Sequence, residues 1–284
     1  MEINSIIFPA PPPNYSEAEF GEELIWIPKS EEKFSIPCLF LKSEEGSNKI
    51  MIFFHGNAED LKLSYDLIDL FRTVLHVHVL AIEYPGYGLY KSKSSAKTIL
   101  KDAETVYDFV VSQFTFKYRD IFVFGRSIGT GPATHLARHR KIGCLLLMSS
   151  FTSIKAVIRN VAGRLSSLVK ERFSNIDNIK YVTCPTFLVH GRKDNLIPYT
   201  HSQQLQEACG GRCSLFIPAE MDHDKFDYCD DLVLPISAFL LQSRITICTS
   251  TVELKVTQEM LRPHPEQELR SRGGRFYKFL KKFS

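Results

Sequence analysis

The sequence predicts an α/β fold, with a mostly parallel central sheet flanked by helices on both faces and a small cap. Three observations point there. Apolar runs of strand length recur along the chain, among them IMIFF at 50–54, IFVF at 121–124 and CLLLM at 144–148. Stretches with apolar residues at helical spacing separate them. These runs are continuously apolar, as in strands covered on both faces, and strands that alternate with helices form parallel sheets.

Taken in order, residues 1–20 are a proline-rich segment expected to lie extended over the surface. The main body is expected over 21–242. It begins with strands at 24–28 and 36–42, half-buried and paired as an antiparallel edge. A strand at 50–54 leads through HGNA into a helix from 59 to about 75, and a strand at 77–83 ends in the turn cluster YPGYG. A helix from 95 to about 114 precedes the strand that ends at Phe124. Helix 129–140 and strand 144–148 follow. Residues 152–183, with helical stretches and many polar residues, are the expected cap. Strand 185–190, helix 200–208, strand 213–217 and helix 229–241 complete the body, and 243–284 reads as a basic C-terminal tail. In such sheets reactive groups gather beyond the carboxyl ends of the strands. A site is therefore sought in loops 55–58, 84–91, 125–129, 149–153, 191–195 and 219–224.

The 284 residues are 44% hydrophobic and 24% charged, enough apolar material for one sizeable core with tails to spare. A net charge of +3 and no basic helix in the body argue against a nucleic-acid partner. The seven cysteines are odd in number and scattered, so free thiols in a reducing, cytoplasmic compartment are expected. Cys209 and Cys213 lack a second pair at zinc spacing, and no metal or other cofactor is expected. MEINSIIFPAPPP breaks into prolines too early for a signal peptide, and the apolar run 232–241 is too short to span a membrane.

The most informative stretch is IFVFGRSIGTGPA at 121–133. Gly125-Arg126-Ser127-Ile128-Gly129 fits G-x-S-x-G, the strand-to-helix elbow that lifts a serine hydroxyl clear of a sheet. A residue without Cβ two positions either side relieves the crowding of so sharp a turn. A serine hydroxyl is a poor nucleophile at neutral pH and needs a base, and the base needs an acid to orient it. In elbow architecture these follow in the order acid, then histidine. Of the downstream histidines 190, 201, 223 and 264, only His223, in AEMDHDKF after the last strand, fits the base. Asp194, in the turn of VHGRKD, is the best acid, with Asp177 second. Asp222 and Asp224 lie too close to His223 in sequence to reach round its ring. Transition-state charge needs backbone N–H donors. Ile128 supplies one and Asn57 the other, with Ala58 an alternative, because their loop leaves a strand at a glycine and heads into a helix.

With these residues assembled, the chain resembles the serine hydrolases of the α/β-hydrolase superfamily, in particular the group of domain 17 depalmitoylases and Bem46-like proteins. The resemblance rests on Phe8-Pro9 through Tyr15-Ser16, HGNAED at 55–60, EYPGYG at 83–88, GRSIGTGP at 125–132 and HGRKDNLIP at 190–198, in that group's order. It implies the triad Ser127, Asp194 and His223, the oxyanion donors Asn57 and Ile128, and an acylated protein or lipid as substrate. Two departures stand out. The depalmitoylases carry an N-terminal lipidated cysteine cluster, whereas the first cysteine here is Cys38, and the usual glycine-rich approach to the histidine is replaced by Ala219-Glu220-Met221-Asp222.

The function expected is hydrolysis of acyl esters or thioesters, palmitoyl-protein thioesters included. Alternatives are a serine peptidase or lipid esterase of the same fold, or a hydrolase-shaped binding protein without chemistry. The stretch 262–284 has seven Lys/Arg against two Glu and ends in RFYKFLKKF. Its cations and aromatic rings predict weak peripheral contact with anionic membranes.

Overall fold

The computed structural model describes residues 7–29, 34–162, 171–250, 254–265 and 267. Eight strands form one sheet: β1 (Leu24–Pro28), β2 (Ser35–Leu41), β3 (Ile50–Phe54), β4 (His78–Ile82), β5 (Ile121–Arg126), β6 (Cys144–Met148), β7 (Thr186–Val189) and β8 (Cys213–Phe216). Their order is β1-β2-β4-β3-β5-β6-β7-β8. β1 and β2 pair antiparallel, as do β2 and β4, and every other neighbouring pair is parallel.

The alternation of side chains along each strand divides the interior into two cores. Ile50, Ile52 and Phe54 face one of them. Helices α2 (Ala96–Ser112) and α3 (Thr130–His139) close that side with Ile99, Val106, Ala133 and Leu136. Met51 and Phe53 face the other, under α1 (Tyr65–Val74) and the last helix Leu234–Gln242, which bring Ile68, Phe71, Ile236 and Phe239. Phe124 stands at the centre of this second core, with the rings of Phe53 at 4.9 Å and Phe71 at 4.8 Å. Both faces are covered, which is why β3 to β6 read as unbroken apolar runs. β1 and β2 are also nearly all buried rather than half-buried, because both cores extend over the edge that was expected to be open. α2 starts at a capping box in which Ser95 accepts from the Thr98 N–H and Thr98 answers it.

Three expected elements differ. The helix expected from 59 starts only at Tyr65, because side chains in the preceding loop bind its backbone. The Asp60 carboxylate accepts from Leu63 N–H, and Glu59 from Gly56 N–H. The helix expected from 229 begins as one wide turn, Tyr228–Val233, capped by Asp227, and Pro235 sits in the first turn of the regular helix that follows. The N-terminal segment is anchored rather than draped. Phe8, Tyr15 and Phe20 are buried, and 17–20 form one helical turn.

The start of the expected tail is also packed. Asn48 and Cys248 exchange two hydrogen bonds of 2.9 Å, and Leu254 is buried. RFYKFLKKF lies outside the described residues. No helix among the described residues is long and apolar enough to cross a membrane.

The elbow between β5 and α3 depends on close approach of backbones. A Cβ on Gly129 would stand 2.4 Å from the Phe54 carbonyl oxygen and 2.7 Å from that of His55. Backbone cannot give way cheaply, so Gly129→Ala should lower stability by about 1–3 kcal/mol, read from urea denaturation.

Candidate active site

Ser127 follows directly on β5 with φ of 51°, a left-handed conformation strained for a residue with a Cβ. The hydroxyl thereby leaves the plane of the sheet. Its Oγ lies 3.1 Å from Nε2 of His223. The opposite ring nitrogen, Nδ1, lies 2.7 Å from Oδ2 of Asp194. Since the carboxylate only accepts, Nδ1 carries the proton and Nε2 presents its lone pair to the Ser127 hydroxyl. Loops beyond β5, β7 and β8 thus bring together the three residues selected from the sequence. Asp177 lies elsewhere, exposed and paired with Lys180 and Ser174. Asp222 caps its own loop, and Asp224 turns to Arg126.

Asp194 is fully held. Its side chain is buried, and Oδ1 accepts from the N–H groups of Leu196 at 3.0 Å and Ile197 at 2.8 Å. Burial alone would raise its pKa, but hydrogen bonds from His190 and His223 outweigh that and hold it well below the usual carboxylate range. His190 continues the chain inward. Its Nε2–H donates to the Ile197 carbonyl at 2.7 Å and lies 3.3 Å from Asp194 Oδ2, while Nδ1 accepts from Ser202, whose oxygen meets Ser150 at 2.7 Å. His190 and Ser202 are completely buried, so the line from Ser150 to Ser127 has fixed partners at each step.

The loop after β3 is tied from below. Glu83, at 0% exposure, accepts from Tyr15 OH at 2.6 Å and lies 3.1 Å from His55 Nε2. Tyr84 OH donates to the His55 carbonyl at 2.8 Å. Asn57 is gripped by its side chain: its Nδ2 donates to the Ile7 carbonyl and its Oδ1 accepts from Tyr87 OH, each at 2.9 Å. Asn57, Ala58 and Ile128 line the same cavity as Ser127 and His223. The replaced approach to the histidine is also packed: Met221 is buried, its carbonyl accepts from Lys193 N–H at 3.0 Å, and Glu220 pairs with Lys193.

That cavity measures about 520 Å³. Its walls are mainly apolar, from Ile7, Phe151, Ile154, Val157, Ile158 and Leu196. Ile154 to Ile158 belong to α4 (Ile154–Ala162) of the expected cap, and residues 163–170 lie outside the described part. Another cap helix among the described residues, α5 (Asn175–Ile179), is fastened to the elbow by Asn175, whose Nδ2 donates to Thr130 Oγ1 and to the Phe151 carbonyl, both at 3.0 Å. Two larger hollows of about 910 and 930 Å³ lie away from Ser127 and are lined chiefly by polar and charged residues. The smaller one holds Ser127 and His223.

Comparison with known proteins adds to this geometry. No protein-family model matches the chain. It is 27% identical over 195 residues to alpha/beta hydrolase domain-containing protein 17C of Xenopus tropicalis, covering 69% of this chain and 62% of that protein. To the human protein 17B it is 26% identical, covering 69% and 67%. Among solved structures, the esterase Pf2001 of Pyrococcus furiosus superimposes with a TM-score of 0.61 at 19% identity, over 83% of this chain and 97% of that one. Est1E from Butyrivibrio proteoclasticus with ferulic acid bound gives 0.64 at 16%, over 78% and 99%. The fold is that of the α/β hydrolases. Its curated relatives include domain 17 proteins, the group that the sequence resembles, and the match spans less than two thirds of the frog protein's length.

Sequence reasoning passed over Arg126, Glu83, His190 and Asn175 as parts of the site. Glu83 had a signal, a charge at the end of the apolar run VHVLAI. Asn175 had none, since its role comes from a contact 45 residues away.

Two outcomes follow from these contacts. A carboxylate whose pKa falls on folding stabilises the fold above its unfolded value and loses that contribution as pH drops through the folded one. Asp194→Asn should therefore flatten the acid limb of stability below about pH 4, seen in urea midpoints taken at successive pH values. At position 57 the backbone N–H survives in Asn57→Ala, which loses two side-chain hydrogen bonds and about 1–3 kcal/mol of stability. Asn57→Pro lacks the N–H, and its turnover should fall about 10²- to 10³-fold.

Proposed function

We propose that this chain is a serine hydrolase that cleaves acyl esters or thioesters, with a fatty-acyl group on a protein cysteine as the substrate class that the sequence resemblance implies. The observation that carries the reading is the hydrogen-bonded file from Asp194 through His223 to Ser127, ending in an apolar cavity. Ser127 Oγ attacks the acyl carbonyl carbon while its proton passes to His223 Nε2. Backbone N–H groups of Ile128 and Asn57 receive the charge that builds on the carbonyl oxygen. The proton then moves to the departing thiol or alcohol, which leaves with the electrons of the broken bond, and an acyl-enzyme remains on Ser127. Water, deprotonated by the same imidazole, releases the acid. Asp194 keeps the ring in the required tautomer and faces the imidazolium when it forms.

Apolar walls favour an acyl chain over a peptide, which would bring unpaired amides into the cavity. The named relatives are α/β hydrolase domain-containing proteins and the structural neighbours include an esterase, which supports hydrolysis of this bond type. The described start of the C-terminal stretch is packed on the body, so the membrane contact proposed for this protein rests on residues beyond Gln267.

Purified protein should react with a fluorophosphonate probe, and peptide mass spectrometry should find the label on Ser127. A label elsewhere, or a Ser127→Ala variant as active as the parent, would overturn the assignment. Ser127→Ala and His223→Ala should each cost nearly as much as both together, since they serve one proton transfer. The cavity makes a second demand. Across a series of acyl esters, kcat/KM should rise with chain length by up to about 0.8 kcal/mol per buried CH₂, and Val157→Trp should shift the preference to shorter chains.

A further inference from the structure

Arg126 occupies the variable position before the nucleophile, yet its side chain is only 10% exposed. Its three polar contacts run in two directions. Nη2 donates to the His223 carbonyl oxygen at 3.0 Å and to Asp224 Oδ1 at 3.1 Å. Nη1 forms an ion pair with Glu59 Oε1. The other oxygen of Glu59 accepts from the Gly56 N–H at 3.2 Å and from Ser64 Oγ at 2.9 Å. The guanidinium also lies 5.8 Å from the centre of the Phe226 ring.

We propose that Arg126 is a positioning residue: its guanidinium ties the loop that carries Asn57 to the loop that carries His223 and fixes their spacing across Ser127. This rests on the reading of Ser127 and His223 as nucleophile and base. The two loops follow different strands, β3 and β8, with β5, β6 and β7 between or beside them. Among the described residues, the Arg126–Glu59 pair provides a side-chain link from one loop to the other. Gly56 makes room for it, because a Cβ there would stand 2.7 Å from Glu59 Oε1 and 2.9 Å from Arg126 Nη1. A planar fork with fixed donor directions suits this role. Lysine has the charge but presents it at a single nitrogen, which cannot meet Glu59, Asp224 and the His223 carbonyl from both arms. The base would then keep its partner Asp194 but lose the contact that holds its own backbone carbonyl.

The test compares Arg126→Lys, Asp224→Asn and their double variant with the parent, using a short-chain ester and fluorophosphonate labelling. Asp224 is 82% exposed, so its variant folds whatever becomes of the buried arginine. Displacement of the base by a fraction of an ångström should lower kcat about 10- to 100-fold in Arg126→Lys and about 3- to 10-fold in Asp224→Asn. KM should change less than about 2-fold, because the apolar walls from Ile7, Phe151, Val157 and Leu196 are untouched. Labelling rates should fall in parallel with kcat, and the two losses should not add, since both act on one contact. Parental kcat in Asp224→Asn, or in a folded Arg126→Lys, overturns the proposal while labelling of the parent at Ser127 keeps the hydrolase reading intact. A parent that is not labelled at Ser127 removes both.

Discussion

The site depends on one strained residue held between two rigid elements. Ser127 adopts a left-handed backbone only because β5 and α3 are each locked in place, β5 between β3 and β6 and α3 against the sheet. Such strain costs on the order of 1–3 kcal/mol and persists where the surroundings over-determine it. Phe124, one strand position before the elbow, is packed between Phe53 and Phe71, and the 0% exposure of the residues around it leaves the turn no room to relax. Burial thus supports an arrangement that local preference opposes.

Around that point the polar side chains work in two layers. His223 meets Ser127 and Asp194 meets His223, and a deeper set of side chains holds these in place. Ser150, Ser202 and His190 stand behind Asp194, Glu83 and Tyr15 stand behind the loop of Asn57, and Asn175 ties the cap to the elbow. Each of these is buried and bonded to groups distant in sequence. A buried polar group without a partner costs about 1–3 kcal/mol, so a network of this kind tolerates few arrangements. Its rigidity is suited to holding the His223 imidazole and the Ser127 hydroxyl at a fixed distance.

The apolar cavity answers a different need. It is built from the N-terminal segment, the cap and the loop after β7, with Ile7, Val157 and Leu196 as their respective contributions. None of these belongs to a strand. The cavity is therefore walled by parts of the molecule that can vary without disturbing the sheet, while Ser127, Asp194 and His223 stand beyond the strand ends. The same division explains why the fold is shared at 16–19% identity with esterases from distant organisms.

What the sequence determined by itself was local or periodic. Apolar runs and their spacing located the strands, the G-x-S-x-G turn marked Ser127, and chain order singled out Asp194 and His223, which the structure brings within hydrogen-bond reach. The later start of α1 and the wide turn before Pro235 were not legible, because side-chain bonds to nearby backbone outweighed helical spacing there. Tertiary structure alone decided the partners of Arg126, the burial of Glu83 beneath the loop of Asn57, and the union of Ile7 with the cap into one cavity. These depend on contacts between residues 20 to 150 positions apart in the chain. Periodicity records which way a side chain faces within its own element, and it carries no information about which distant side chain will face it across the fold.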